Sequence, residues 1–313
     1  MTKRMKVLIA YDGSDCADAA IDDLRRAGLP QDVEALVLSV ADVLFLPESG
    51  EPAASVPSLR VSAAIQQARR VAEETIAEAD RLAQSAAKRV QALFPGWTVQ
   101  AKACGDSPAW GIIHEAEEWQ ADLIVLGSRG LASVNRLLLG SVSQTVVTQA
   151  HCSVRIARER RSEPDHPPRI VIGADGSVQA KAAVHTVAER VWPSGTEVRV
   201  IAAINSSLAT AVGSPTGQSW RGSEAADRNE WVHEFVAAEV EQLRTAGLAV
   251  STVIQEGDPK QLLIEEAERW NADCIFVGAR GLNRLQRLLL GSVSTAVAVR
   301  APCSVEVTRP PVA

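Results

Sequence analysis

The sequence predicts an α/β chain of two sibling domains, each a mostly parallel sheet covered by helices on both faces. Three observations carry this: a length of 313 residues, a duplication running nearly end to end, and short apolar, β-branched runs that alternate with helix-forming stretches. Such a chain exceeds one typical domain of about 150 residues, and either half is long enough to close its own core. Strands alternating with helices imply βαβ crossovers and hence a parallel sheet.

The duplication is direct. VLIAYDGSDCADAA (7–20) returns as IVIGADGSVQAKAA (170–183), and AEEWQADLIVLGSRG (116–130) returns as AERWNADCIFVGARG (267–281). Asp12 pairs with Asp175 at an offset of 163 and Gly127 with Gly278 at 151, so the second copy is shorter in its middle. RSEPDHPP (161–168), rich in proline and charge and without an apolar period, reads as a linker. The domains are therefore expected at 1–160 and 169–313.

Each element follows from its local pattern. VLIAY is a short apolar strand, and the helix after it carries Ala19, Ile21, Leu24 and Ala27 at helical spacing until Gly28 ends it. VEALVLSVAD is a second strand, and 61–94 a long helix rich in Ala, Arg and Glu that stops at FPGW, its charges reading as a solvated face. WTVQAKAC, ADLIVLG and CSVRIAR are further strands, with helices over 108–119 and from Ser141. The second copy repeats the strands as IVIGAD, EVRVIAAIN, AVSTVIQEG, ADCIFVG and CSVEVTR.

Composition removes several classes of function. With 46% hydrophobic and 22% charged residues the chain is globular, and at 4% aromatic its interior must be filled by Val, Leu, Ile and Ala. A net charge of -6 and the lack of a dense Lys/Arg block argue against nucleic-acid binding. The apolar run after MTKRMK is too short for a secretory leader, and none approaches the roughly eighteen residues of a membrane span. Five cysteines (16, 104, 152, 274, 303) show neither CxxC nor zinc-ligand spacing, which points to a reducing cytoplasm. The five histidines (114, 151, 166, 185, 233) are unmatched between copies and read as surface or helix residues. Cys152 and Cys303 are matched and read as small buried groups.

The strongest motif is written twice: GSRGLASVNRLLLGSVS (127–143) and GARGLNRLQRLLLGSVS (278–294). Gly127 follows a buried strand, Gly130 comes three residues later, and Gly140-Ser141 opens an amphipathic helix. In parallel sheets ligands bind beyond the carboxyl ends of the strands. A helix N-terminus offers unpaired amides and partial positive charge to phosphate oxygens, and glycine lets main chain approach closely. Ser141 and Ser143 add hydroxyls beside those amides. The alternative is purely structural, with turns and a cap, and Ser141-Val142-Ser143-Gln144 matches a capping box. Asp12 and Asp175, each followed by Gly-Ser at the end of a first strand, suit a ribose hydroxyl or a magnesium ion bridging phosphates, against a helix N-cap or an Asx-turn. Arg136 and Arg287 stand before Leu-Leu-Leu-Gly, placed to reach a phosphate or to hold the loop, and the leucines to pack it.

With Asp-Gly-Ser after strand one, the turns Gly105-Asp106-Ser107-Pro108 and Gly257-Asp258-Pro259, and Gly-x2-Gly-x9-Gly-Ser in both halves, the chain resembles the universal stress protein family in its tandem form and its ATP-binding branch. The resemblance implies Rossmann-like domains, adenine nucleotide alpha hydrolase-like in fold, each with an open five-stranded sheet of order 3-2-1-4-5, and ATP rather than AMP or a cyclic dinucleotide across strands 1 and 4. Asp12 and Asp175 would then face ribose, phosphates or magnesium, and the backbone of Val40 and Ala203 would border the adenine. Gly127, Arg129 and Gly130 would line the first loop, with Gly140, Ser141, Val142 and Ser143 gripping phosphates. The matching set is Gly278, Arg280, Gly281, Gly291, Ser292, Val293 and Ser294. Ala279 for Ser128 and Ala203 for Val40 are departures that bear on whether the two sites bind alike. The resemblance also implies that the two copies pair through the edges of their last strands, and that two chains form a homodimer.

Three roles are compatible with this reading: a nucleotide-dependent sensor acting on an unidentified protein partner, a slow ATP hydrolase or phosphotransferase, and a nucleotide-free scaffold. Catalysis needs a positioned base, and no His/Glu arrangement recurs in both copies; no GxxxxGK[ST] is present. The sensor is the expected role, with no catalytic residue assigned.

Overall fold

The computed structural model describes residues 4–43, 59–130, 139–159, 166–204, 224–280 and 290–310. The first copy runs β1 (Met5–Ala10), α1 (Asp15–Asp23), β2 (Val33–Ala41), α2 (Leu59–Leu93), β3 (Thr98–Gly105), α3 (Pro108–Glu118), β4 (Leu123–Gly127), α4 (Ser141–Gln149) and β5 (Ser153–Ala157). The second runs β6 (Arg169–Ala174), α5 (Val178–Glu189), β7 (Glu197–Ile204), α6 (Glu224–Thr245), β8 (Ala249–Glu256), α7 (Pro259–Arg269), β9 (Cys274–Gly278), α8 (Ser292–Arg300) and β10 (Ser304–Thr308).

All ten strands join one sheet of order β3-β2-β1-β4-β5-β10-β9-β6-β7-β8. Each half is parallel and has the expected order 3-2-1-4-5, and the halves meet where β5 and β10 pair antiparallel. β4 and β9 are buried along their whole length, as parallel strands covered on both faces must be. Local chemistry sets the helix boundaries. Ser14 and Ser177 cap α1 and α5 by accepting the amides of Ala17 and Ala180. Pro108 and Pro259 stand in the first turn of α3 and α7, where a missing N–H costs nothing. α1 ends in a 3-10 turn over Leu24–Arg26, and Gly28, at φ 64°, turns the chain out of it. α2 starts two residues before its expected 61 and buries Ala79, Ala83, Ala86 and Val90 on one side.

The core is continuous across the seam on one face of the sheet, where Leu8, Ile124, Val154, Val171, Ile275 and Val305 belong to one cluster. On the other face each half has its own cluster, one around Ile9 and Ile21, the other around Ile172 and Phe276. Between those two lies a buried polar knot. Arg155, fully buried, donates through Nε to Asp23 at 2.6 Å and through Nη1 to Glu306 at 3.1 Å. Arg190 also pairs with Glu306, and Ser304 donates to Asp23 at 2.8 Å. Burial alone works against a charged guanidinium, but Asp23, Cys274 and Glu306 hold Arg155 above its ordinary pKa. In the register of the seam Arg155 lies directly opposite Glu306, its counterpart in the other copy.

Of the expected linker, 161–165 lies outside the described residues. His166 is tied back by Arg26, which donates to its carbonyl at 2.9 Å.

Candidate functional site

The loops that follow β1 and β4 lie side by side at the carboxyl ends of two adjacent strands. Asp12 Oδ1 accepts the amide of Ser14 at 3.0 Å and its hydroxyl at 2.6 Å. That is an Asx-turn, and the N-cap of α1 is Ser14, not Asp12. Gly13, at φ 78°, makes the turn possible. The other oxygen, Oδ2, points to the glycine loop: a Cβ on Gly130 would stand 2.6 Å from it. Gly127 is needed for packing, since its Cβ would stand 2.6 Å from the carbonyl oxygen of Cys16.

The capping box is corrected by the structure. Gly140, not Ser141, is the N-cap of α4, with φ -66° and ψ 154°, and no side chain caps the helix. Ser141 is exposed at the first helical position, and Val142 turns its side chain to the core. Ser143 is buried, and its hydroxyl donates to the carbonyl of Gly127 at 2.8 Å, which fastens the helix to the end of β4 instead of presenting a donor to a ligand. The loop is closed by Gly140, whose amide reaches the carbonyl of Ser128 at 2.9 Å. Helical geometry leaves the amides of residues 141–143 without intrahelical acceptors; the first such bond runs from Gln144 to Gly140 at 2.9 Å. Arg129 is half-buried on this loop, with a buried Nε that has no hydrogen-bond partner.

The second copy repeats these features. Asp175 Oδ1 accepts the amide of Ser177 at 2.9 Å, Gly291 caps α8 without a side chain, its amide reaches Ala279 at 2.8 Å, and Ser294 donates to Gly278 at 2.5 Å. Ser292 is exposed, Val293 packs on the core, and Arg280 is half-buried. Gly281, Arg136 and Arg287 lie outside the described residues. Leu139 and Leu290, the last of each leucine triplet, pack against the core. Val40 and Ala203 occupy equivalent places near the ends of β2 and β7, because Ala10 is aligned with Leu38 and Gly173 with Ile201. Val40 packs over Gly111 of α3, and Ala203 is buried.

The copies differ beside the site. In the first, Tyr11 donates to Asp18 at 2.9 Å and Arg89 bridges Asp18 and Asp22; burial, then the bond to Asp18, pushes the Tyr11 hydroxyl up to about 12. In the second the equivalent residues are Ala174, Lys181 and His185, and α6 brings Glu239 in from the opposite side. Glu239 is 4% exposed and neither carboxylate oxygen has a hydrogen-bond partner. Burial, then the charge of Asp175, pushes its carboxyl up to about 7. The buried positions Ala79, Ala83, Ala86 and Val90 of α2 share their spacing with Val232, Val236, Glu239 and Leu243 of α6, so Glu239 stands where the first copy has Ala86. Sequence reading missed it because it is one charge among many in a helical stretch.

Among the described residues no three His, Cys, Asp or Glu side chains form a metal-holding cluster. His114, His151 and His185 instead each meet one carboxylate, that of Asp106, Glu117 and Glu189 respectively. All five cysteines are free; Cys152 and Cys303 are half-buried against the core, less enclosed than expected. A cleft of about 660 Å³ opens at the amino ends of β1 and β4, beside Met5, Leu123 and Arg309, and no described residue of either glycine loop lines it.

Fold and loops together define a tandem α/β protein of Rossmann-like architecture, with the same glycine-framed helix N-terminus at two equivalent places. The universal stress protein family matches residues 3–158 and again 167–309, and the chain belongs to that family. A universal stress protein of Mycolicibacterium smegmatis is 26% identical over 309 residues, covering 97% of both chains. One from Mycobacterium tuberculosis is 28% identical over 198 residues, 58% of this chain and 61% of the relative. The crystal structure of a universal stress protein from Archaeoglobus fulgidus shares the fold at a TM-score of 0.61 and 24% identity, covering 97% of this chain and 98% of that one. No helix of the described residues is long and apolar enough to cross a membrane.

Proposed function

We propose that this chain is an ATP-binding sensor or regulator in a stress response, with one nucleotide site in each domain, 1–160 and 169–313. One observation carries the reading: in each copy three successive amides at a helix N-terminus, 141–143 and 292–294, stand without intrahelical acceptors behind a glycine loop. Amides so arranged, at the positive end of a helix dipole, suit phosphate oxygens.

In this reading Gly127, Arg129 and Gly130 frame the phosphates of the first site, and Gly278, Arg280 and Gly281 those of the second. The hydroxyls of Ser141 and Ser292 add donors, while Ser143 and Ser294 contribute only their amides. Val40 and Ala203 border the base. Asp12 and Asp175 each keep one carboxylate oxygen out of the Asx-turn for a ribose hydroxyl or a magnesium ion, whose remaining oxygen ligands would come from phosphates and water. The sensor acts in the cytoplasm as a homodimer and through a protein partner that reads the ordered loops.

Native purification followed by mass identification of bound nucleotide tests the reading, with calorimetric titration of Mg·ATP giving two sites per chain. Gly140→Val with Gly291→Val should abolish binding while circular dichroism keeps the sheet signal. ATP retained by that double variant contradicts the proposed mode. Steady-state hydrolysis removed by a single side-chain change would favour an enzyme, and a chain that binds no nucleotide a scaffold.

A further inference from the structure

The helix that opens each candidate phosphate site is closed, at its other end, by an arginine from the other copy. Arg309, just after β10, donates through Nη2 to the carbonyl of Val147 at 2.6 Å and through Nη1 to that of Cys152 at 3.1 Å. Arg158, just after β5, donates through Nη2 to Ala298 at 2.8 Å and to Val299 at 2.9 Å. Arg158 and Arg309 are equivalent in the duplication, as are Val147 and Ala298, so the exchange is reciprocal. The seam holds both arginines in place: the amide of Arg309 donates to Ser153 Oγ at 3.1 Å and that of Arg158 to Ser304 Oγ at 3.2 Å.

We propose that Arg309 is a positioning residue for the first nucleotide site and Arg158 for the second, each acting across the seam through the far end of the phosphate-facing helix. The last carbonyls of a helix lack intrahelical donors, and a cation among them is favoured by the dipole. α4 and α8 are each nine residues long, about 13 Å. A fixed positive charge at that distance adds to the attraction for polyphosphate at the N-terminus, and the fork locks the axial position of the amides. Burial pushes Arg309 down to about 10, which leaves it charged at neutral pH.

The proposal rests on the nucleotide reading, and single-site backgrounds test it in the full chain. In Gly291→Val, which leaves the first site, Arg309→Gln should raise the Kd for Mg·ATP about threefold to tenfold, while Arg158→Gln changes it by less than about twofold. In Gly140→Val the roles should exchange. A loss that stays within the arginine's own copy, or equal losses in both backgrounds, overturns the assignment. If Arg309→Gln fails to fold, Arg309→Lys keeps the charge without the fork, and the same crossing is expected at smaller size; its absence overturns the assignment. If neither background binds Mg·ATP, the nucleotide reading fails, and the crossing is read from amide exchange of nucleotide-free protein. Arg309→Gln should then speed exchange in the last turn of α4 and Arg158→Gln in that of α8; uncrossed or uniform acceleration overturns it.

Discussion

Glu239→Gln removes a charge that the fold does not compensate, and its effect on stability is set by pH. In the folded chain the Glu239 carboxyl is pushed up to about 7, against an ordinary 4.5, by burial and then by Asp175. The cluster that its helix joins through Val232, Val236, Val240 and Leu243 is apolar, with Val198, Val200 and Ala202 of β7, Val250 and Ile254 of β8, and Val184 of α5. Lys181 acts weakly in the opposite direction, and His185 bonds Gln242 at 3.3 Å. Below the unfolded value both states are protonated and the group costs nothing. As pH rises from about 4.5 to 7 the unfolded chain releases this proton and the folded chain keeps it, so stability falls. Near 1.4 kcal/mol per pK unit, the full effect is about 3 kcal/mol above pH 7. Glu239→Gln should match the parent chain at pH 4.5 and exceed it by about 3 kcal/mol at pH 8. Urea unfolding followed by circular dichroism at a series of pH values reads the difference. A gap that stays constant from pH 4.5 to 8 would refute the reasoning, because only a titrating, uncompensated carboxyl makes it grow.

Two further substitutions bear on the site and the seam. Gly130→Ala brings a Cβ within 2.6 Å of Asp12 Oδ2, so the carboxylate must move; calorimetry should show weaker Mg·ATP binding at the first site, with thermal stability changed by less than about 1 kcal/mol. Arg155→Met takes the buried cation away from Asp23 and Glu306, and should cost about 3–5 kcal/mol in urea unfolding; a loss below about 1 kcal/mol would mean that Arg190 and Ser304 suffice.

Most of the fold was legible because its signals are local. Period marks the strands and helices, serines cap α1 and α5, prolines open α3 and α7, and the duplication supplies these marks twice. What was not legible depends on contacts far away in the chain. SVSQ reads as a capping box, but the bond that decides is from Ser143 to the carbonyl of Gly127, sixteen residues back. VRIA reads as a strand edge, yet Arg155 within it is fully buried, because Asp23 and Glu306 arrive from elsewhere in the sequence. Glu239 needs the helix phase set by Val232, Val236 and Leu243 before its burial can be noticed. Arg158 and Arg309 were within reach: both strands end in arginine, CSVRIAR and CSVEVTR, and a residue matched in both copies without a local role invites a structural one.

The central pairing of the seam decides which halves are able to live together. Two identical halves joined by the same twofold geometry would set each residue at position 155 against its own twin: arginine against arginine for the first copy, glutamate against glutamate for the second. Sealed from water, either encounter would repel. Opposite signs at this matched position make each half a poor mate for itself and a good one for its sibling, so the charge pair commits the two halves of one polypeptide to each other.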